Sequence, residues 1–273
     1  SISFLGPILL YALPQFPGCI VNWIQSQTGR LFINYYSNLN EQGLYSIAFT
    51  ISAIILLVTN SFRLAFDPYA LSIMKKEDAK SSYSKIFSIY ILIFGSFVAL
   101  ISSFAKPIIL IITPSDYYSS YSLIFWLVAG GFLYGISNII SIGICITTKT
   151  KFLSYAQIIT LISIIILSFL LVPKYGALGA SIAYFIAAFV ESYSKYIFAQ
   201  KLFPIEYPFL KFVITIFSLI TIESLNIFLV RDMSFINSSL IGIFSFSIIL
   251  TILYFLFIQN SGGPRRFLKE LNY

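Results

Sequence analysis

Apolar residues run along this chain in long blocks, and each block stops at Pro, Gly, Asn or clustered charge. The stretch "LISIIILSFLLV", from Leu161 to Val172, has no polar face at the two-residue period of a strand. A transmembrane barrel would show segments of about 10 residues with inward polar positions at every second place, so the pattern excludes one. The blocks lie near or above the roughly 20 residues that a helix needs to cross the hydrocarbon core. They predict an all-α fold, a polytopic transmembrane helix bundle of about eight spans. The spans are Ile8 to Tyr36, Glu41 to Met74, Ser82 to Ile112, Tyr117 to Thr148, Phe152 to Val172, Gly176 to Phe203, Pro208 to Leu229 and Ser238 to Ile258. The second, third and fourth exceed what a bilayer needs, so they tilt, kink or project into water.

Composition agrees with that pattern. With 58% hydrophobic and 10% charged residues, there is too little polar surface to solubilise a globule. A net charge of +7 would point to nucleic acid if the basic residues formed one patch, but they are spread over the connections between spans. Lys75, Lys76, Lys80, Lys85, Lys149, Lys151, Lys195, Lys201, Lys211, Arg265, Arg266 and Lys269 gather on one side; Lys106, Lys174 and Arg231 fall on the other. The positive-inside rule makes the first side cytoplasmic and puts the C-terminus there. The tail "GGPRRFLKE" reads as a topology signal on anionic lipid, with a specific binding motif as the other reading. Histidine is absent, and Cys19 and Cys145 lie in apolar segments without metal spacing. The sequence therefore points to no catalytic residue, no cofactor and no metal site. With no initiator Met or cleavable signal pattern at its start, the chain is expected to begin inside a larger protein.

Polar residues inside the spans form stripes. Asn22, Ser26, Arg30 and Asn34 are spaced by four on the first helix, with Gln25 and Gly29 beside them. On the second, Thr59, Asn60, Arg63 and Asp67 repeat the pattern, and Arg63 and Asp67 can pair within one turn. The fourth adds Ser137, Asn138, Ser141 and Thr148. A polar cavity shared by these helices accounts for the stripes, because intramembrane ionisable groups face a bundle interior or a water-filled path. Each residue also has a plainer reading. Arg30 lies close enough to the outer end of its helix to snorkel, Arg63 and Asp67 can be a structural pair, and Pro68 can mark a helix break. Glu191 can pair with Lys195 at i,i+4, while Glu223 has no local basic neighbour. Both are candidate proton or cation sites. Gly131 and Gly135 permit close helix approach, as do Gly176, Gly179 and Ala180 at the start of the sixth span. Pro14 and Pro17 interrupt the first helix and make it a candidate bending element.

The order "LPQFPGCIVNWIQSQTGRLFINYY", "NEQGLYSIAFTISAI" and "FRLAFDPYALSIM", followed by "KYGALGASIAYFIAAFVE", resembles the second half of the bacterial oligosaccharide-lipid flippases of polysaccharide biosynthesis. These belong to the multidrug/oligosaccharidyl-lipid/polysaccharide exporter superfamily. The resemblance runs through about three quarters of the chain, by the span of those motifs. It implies the second six-helix bundle of a MATE-like fold over residues 1–203, an extra helix pair over 204–260 and a basic cytoplasmic tail over 261–273. An N-terminal bundle would lie elsewhere. Arg30 matches an arginine of the family's motif, and Gly29 stands where relatives commonly have aspartate, so a local Asp-Arg pair is not available to it.

The activity so implied is not enzymatic. It is translocation of undecaprenyl-pyrophosphate-linked oligosaccharide across the cytoplasmic membrane, for O-antigen, capsule or exopolysaccharide, beside polysaccharide polymerase machinery. Arg30 and Arg63 would attract the pyrophosphate, and Asn22, Gln25, Asn60 and Asn138 would contact sugar or water. Asp67, Glu191 or Glu223 would couple an ion gradient to the movement. A membrane glycan polymerase or ligase is the enzymatic alternative, but the short outward connections leave little room for its acid/base groups. A multidrug exporter of the same superfamily is the transport alternative. Its cavity would be acidic or aromatic to suit organic cations, against which the two intramembrane arginines argue.

Overall fold

The structure, a computed structural model, describes residues 16–258, except that the side chains of Phe16, Pro17, Cys19 and Asn22 are not among what it describes. Among the described residues there is no strand. The chain is a polytopic helix bundle and a multi-pass membrane protein. Its helices are α1 (Phe16–Tyr36), α2 (Leu39–Ile73), α3 (Ala79–Ser103), α4 (Ala105–Ile112), α5 (Tyr121–Ile140), α6 (Ile142–Ile146), α7 (Lys151–Leu202), α8 (Phe209–Leu229) and α9 (Phe235–Leu253). A tight turn of helix, Ser115–Ser120, precedes α5, and a wide one, Tyr254–Ile258, follows α9.

Among the described residues, six helical stretches are long and apolar enough to cross a membrane: Leu39–Ile73, Ala79–Ser103, Ser115–Ile146, Lys151–Leu202, Phe209–Leu229 and Phe235–Ile258. Two features separate these six from the eight predicted spans. The first predicted span begins at Ile8, outside the described residues, and its described part, α1, carries several polar residues, while the predicted fifth and sixth spans are joined in α7. That helix has a break at Gly176, where φ is 53° and ψ is −131°. An L-residue pays a steric cost in this left-handed region, so glycine is required there. Glu41 of α2 seals the break: its Oε2 accepts the backbone N–H of Ala177 at 2.7 Å, one of the donors a restarting helix leaves free.

At about 1.5 Å per residue, α2 is about 52 Å long and exceeds a bilayer core of about 30 Å. Asn38 starts it by accepting the Glu41 N–H on Oδ1 at 2.9 Å. Pro68 sits inside it without ending it, and the helix runs on to Ile73. A stronger break separates α3 from α4 at Phe104, whose φ and ψ are −100° and 10°. Pro107 follows three residues later, with no N–H to give to the Ser103 carbonyl.

The helices pack as two compact units. Unit 1 holds the chain up to Tyr83 together with Trp126–Ile205, and unit 2 holds Ser84–Phe125 together with the chain from Glu206 on. The chain leaves unit 1 for unit 2 after Tyr83, returns at Trp126 and leaves again after Ile205. Within unit 1, Gly131 lets α5 meet α2, since a Cβ there would lie 2.6 Å from Ile55 Cγ2. Within unit 2, Gly242 does the same for α9, where a Cβ would lie 2.6 Å from the Ser103 carbonyl oxygen. The Lys106 ammonium, on α4, donates to the carbonyls of Val230, Arg231 and Met233 at 2.5, 3.0 and 2.8 Å. Those carbonyls follow the C-terminus of α8, where the helix dipole also favours a cation.

Candidate functional site

Unit 1 has a partly open cavity of about 220 Å³. Four helices supply its wall. Gln25 and Ser26 come from α1; Leu56 and Asn60, one turn apart, come from α2; Tyr134 comes from α5. The first part of α7 gives Thr160 and Ile164, and the part after the break gives Tyr184, Ala187, Ala188 and Glu191. The two alanines leave the space that larger side chains would fill. Gln25 also fixes α1 to α7, donating from Nε2 to the Gln157 carbonyl at 3.0 Å.

A polar network backs the wall. Glu191 Oε1 lies 2.6 Å from Lys195 Nζ, and both residues are 4% exposed. Lys195 Nζ donates onward to Ser137 Oγ at 3.1 Å, and Ser137 donates to the Tyr134 carbonyl at 2.8 Å. Ser192 Oγ donates to the Leu133 carbonyl at 2.8 Å, a second link between α5 and α7. The carboxylate and the ammonium cancel each other inside the unit, which lowers the cost of burying either. The wall is mostly apolar, through Leu56, Ile164, Ala187 and Ala188 among others, and the polar groups that reach it are hydroxyl, amide and phenol, with one carboxylate paired to Lys195.

Of the residues selected from the sequence, Gln25, Asn60 and Glu191 meet at this cavity. Arg30 does not line it: the guanidinium stands over the Phe49 ring at 5.4 Å, a cation–π contact between α1 and α2. Arg63 pairs with Asp67 through Nε and Oδ2 at 3.1 Å, and the two side chains are 47% and 43% exposed. The i,i+4 spacing anticipated both this pair and Glu191 with Lys195. Asn138 is 7% exposed, with Nδ2 lacking a hydrogen-bond partner, and lies outside the lining. The Asn22 side chain lies outside the described residues. Glu223 belongs to unit 2.

Sequence reasoning passed over Tyr134, Thr160 and Tyr184. The signal for Tyr184 was present, because Tyr184, Ala187, Ala188 and Glu191 follow the i, i+3, i+4, i+7 spacing of one helix face. Tyr134 and Thr160 have no such signal, since each enters the wall only through the helix it happens to face.

No family model matches the chain, and no curated protein matches it. Among solved structures, the chain is similar to one titled "Lipid II flippase MurJ, inward closed conformation", with a TM-score of 0.62 and 20% identity. The likeness covers 93% of this chain and 56% of that one, so the chain spans about half the length of the solved structure it matches. Over nearly its whole described length, the chain has a fold found in a lipid flippase.

Proposed function

We propose that the chain is one transmembrane bundle, with an extra helix pair, of a flippase for undecaprenyl-pyrophosphate-linked oligosaccharide, acting with a second bundle in surface polysaccharide biosynthesis. It is then a transporter of the bacterial cytoplasmic membrane with its C-terminus inside, and it works beside the polymerase that uses the product. The observation that carries the reading is a cavity into whose largely apolar wall Gln25, Ser26, Asn60, Thr160 and Glu191 bring polar groups, within a fold like that of a lipid flippase.

A charged, hydroxyl-rich head group crosses hydrocarbon only with its polar groups satisfied, since an idealised ion transfer costs on the order of 20 kcal/mol. Hydroxyls and amides replace water for the sugars, while the polyprenyl tail stays in lipid. At roughly 30 Å³ per water, 220 Å³ holds about seven waters, enough for part of a head group but not for a whole oligosaccharide. The remaining room has to come from the second bundle and from movement. Arg63 keeps much of its surface open despite Asp67, and Arg30 is half-buried, so both are available to the pyrophosphate. Gln25 and Asn60 serve the sugars, and Asn22 and Asn138 join them as the bundle opens. One of Asp67, Glu191 and Glu223 carries the coupling ion.

One observation favours a different reading. Tyr134, Tyr184 and Glu191 line the cavity, a set that suits organic cations in a multidrug exporter. Lys195 beside Glu191 weakens that attraction. The deciding experiment measures outer-leaflet exposure of lipid-linked oligosaccharide in cells carrying the full-length protein, Arg30→Ala or Gln25→Ala, with organic-cation efflux in parallel. Exposure reduced about tenfold in a normally expressed variant, on the order of one lost charge-assisted contact, supports the flippase. Undiminished exposure together with lost efflux reverses the assignment.

A further inference from the structure

Pro107 and Glu223 gather more acceptor oxygens than donors at one point of unit 2. Because Pro107 has no N–H, the carbonyl of Ser103 loses the donor that a regular helix would give it four residues on. Across from it on α8, Glu223 is 0% exposed. Ser103 Oγ donates to Glu223 Oε1 at 2.6 Å. Asn226 Nδ2 donates to Glu223 Oε2 at 3.2 Å and to the Ser103 carbonyl at 3.4 Å. The other end of the same amide, Oδ1, is buried without a hydrogen-bond partner, in a residue 3% exposed.

Acceptors outnumber donors in this cluster. A carboxylate alone offers about four lone-pair positions, and the Ser103 carbonyl and Asn226 Oδ1 add to them, against one hydroxyl hydrogen and one amide group. The cluster also holds a negative charge for which no basic side chain compensates. Lys106 gives its ammonium to the carbonyls of Val230, Arg231 and Met233. Lys211 stands over the Phe257 ring at 5.1 Å, and the Tyr121 hydroxyl donates to the Ile227 carbonyl. Lys85 and Tyr90 belong to earlier turns of α3, Arg231 and Asp232 follow the end of α8, and α9 carries no ionisable residue. Gly242 brings the α9 backbone against the Ser103 carbonyl and closes that side.

We propose that Glu223, Asn226 and Ser103 form a monovalent-cation site, in which Na⁺ or a proton cancels the buried carboxylate charge. Oxygen donors suit a hard cation, and one carboxylate balances one positive charge. The site stands on its own geometry and does not depend on which substrate the protein moves.

The test is thermal unfolding of the full chain in lipid vesicles, in NaCl or choline chloride at constant ionic strength, at alkaline and at mildly acidic pH. A midpoint raised by several degrees by Na⁺ at alkaline pH, and not in Glu223→Gln, assigns Na⁺. A rise on acidification whatever the salt, with a carboxylic C=O infrared band that Glu223→Gln lacks, assigns the proton. Equal midpoints in all four conditions, or a shift retained by Glu223→Gln, overturn the site. Should Glu223→Gln fail to fold, Ser103→Ala keeps the carboxylate and removes one donor oxygen. It should need several-fold more Na⁺, or more acid, for the same rise, and an unchanged requirement also overturns the site. Export of lipid-linked oligosaccharide is a separate readout, so failure here and failure of the proposed transport are distinguishable.

Discussion

Among the described residues, each compact unit buries one glutamate in an apolar helix, and the two environments differ in the sign of what surrounds them. In unit 1, Glu191 has a full countercharge one turn away, Lys195 at 2.6 Å, which itself is held by Ser137. In unit 2, the partners of Glu223 are the neutral Ser103 hydroxyl and Asn226 amide. A permanent ion pair is complete without a ligand, so Glu191 can stand at a cavity wall and present a nearly neutral surface. A carboxylate held by neutral donors keeps its charge uncompensated, and the low-dielectric surroundings make an external cation the favourable way to cancel it. Burial alone therefore does not tell the role of an acidic side chain; the charge next to it does.

The largest expected effect comes from breaking the pair in unit 1. Lys195→Met leaves Glu191 buried without its cation and should cost about 3–5 kcal/mol, read as a lowered unfolding midpoint in detergent. Adding Glu191→Gln should recover most of that loss. If the double variant is as unstable as the single one, charge balance is not what distinguishes the units.

Next is Glu223→Ala, which strands the Asn226 amide and the Ser103 hydroxyl and should cost about 1–3 kcal/mol. Glu223→Gln keeps the shape and should cost less than the alanine change. A reversed order would show that keeping the side-chain shape does not stabilise this point of unit 2.

Gly176→Ala forces a Cβ into the left-handed region and against the Glu41 carboxylate. It should cost about 1–3 kcal/mol, checked by chemical denaturation. That change tests a third carboxylate, one whose partner is a backbone N–H.

The smallest effect belongs to Arg63→Ala. Its ion pair with Asp67 is nearly half exposed, so stability should fall by less than about 1 kcal/mol. A drop as large as that of Lys195→Met would mean that solvent exposure does not separate the two i,i+4 pairs.

Much of this was legible from spacing. Apolar blocks identify a membrane-embedded helical protein, because a backbone in lipid has to satisfy its own hydrogen bonds. Pairs at i,i+4, Arg63 with Asp67 and Glu191 with Lys195, follow from one helical turn. Gly176 was visible as a boundary between spans. The cavity was not so visible: Ser26, Arg30 and Asn34 share a stripe, yet only Ser26 reaches the wall, and Arg30 turns to Phe49. A stripe fixes which residues share a face of α1, whereas the neighbouring helix decides what that face meets.

Sequence by itself thus determined the class of the fold, the local pairs and the break in α7, since each depends on residues within a few turns of one another. Tertiary structure alone decided that Tyr134, Thr160 and Tyr184 join Gln25 and Asn60 at one cavity. It also decided that Ser103, freed by Pro107, meets Glu223, more than a hundred residues away along the chain. Contacts of that kind depend on how helices rotate and cross, which close packing of many side chains settles together and no single stretch encodes.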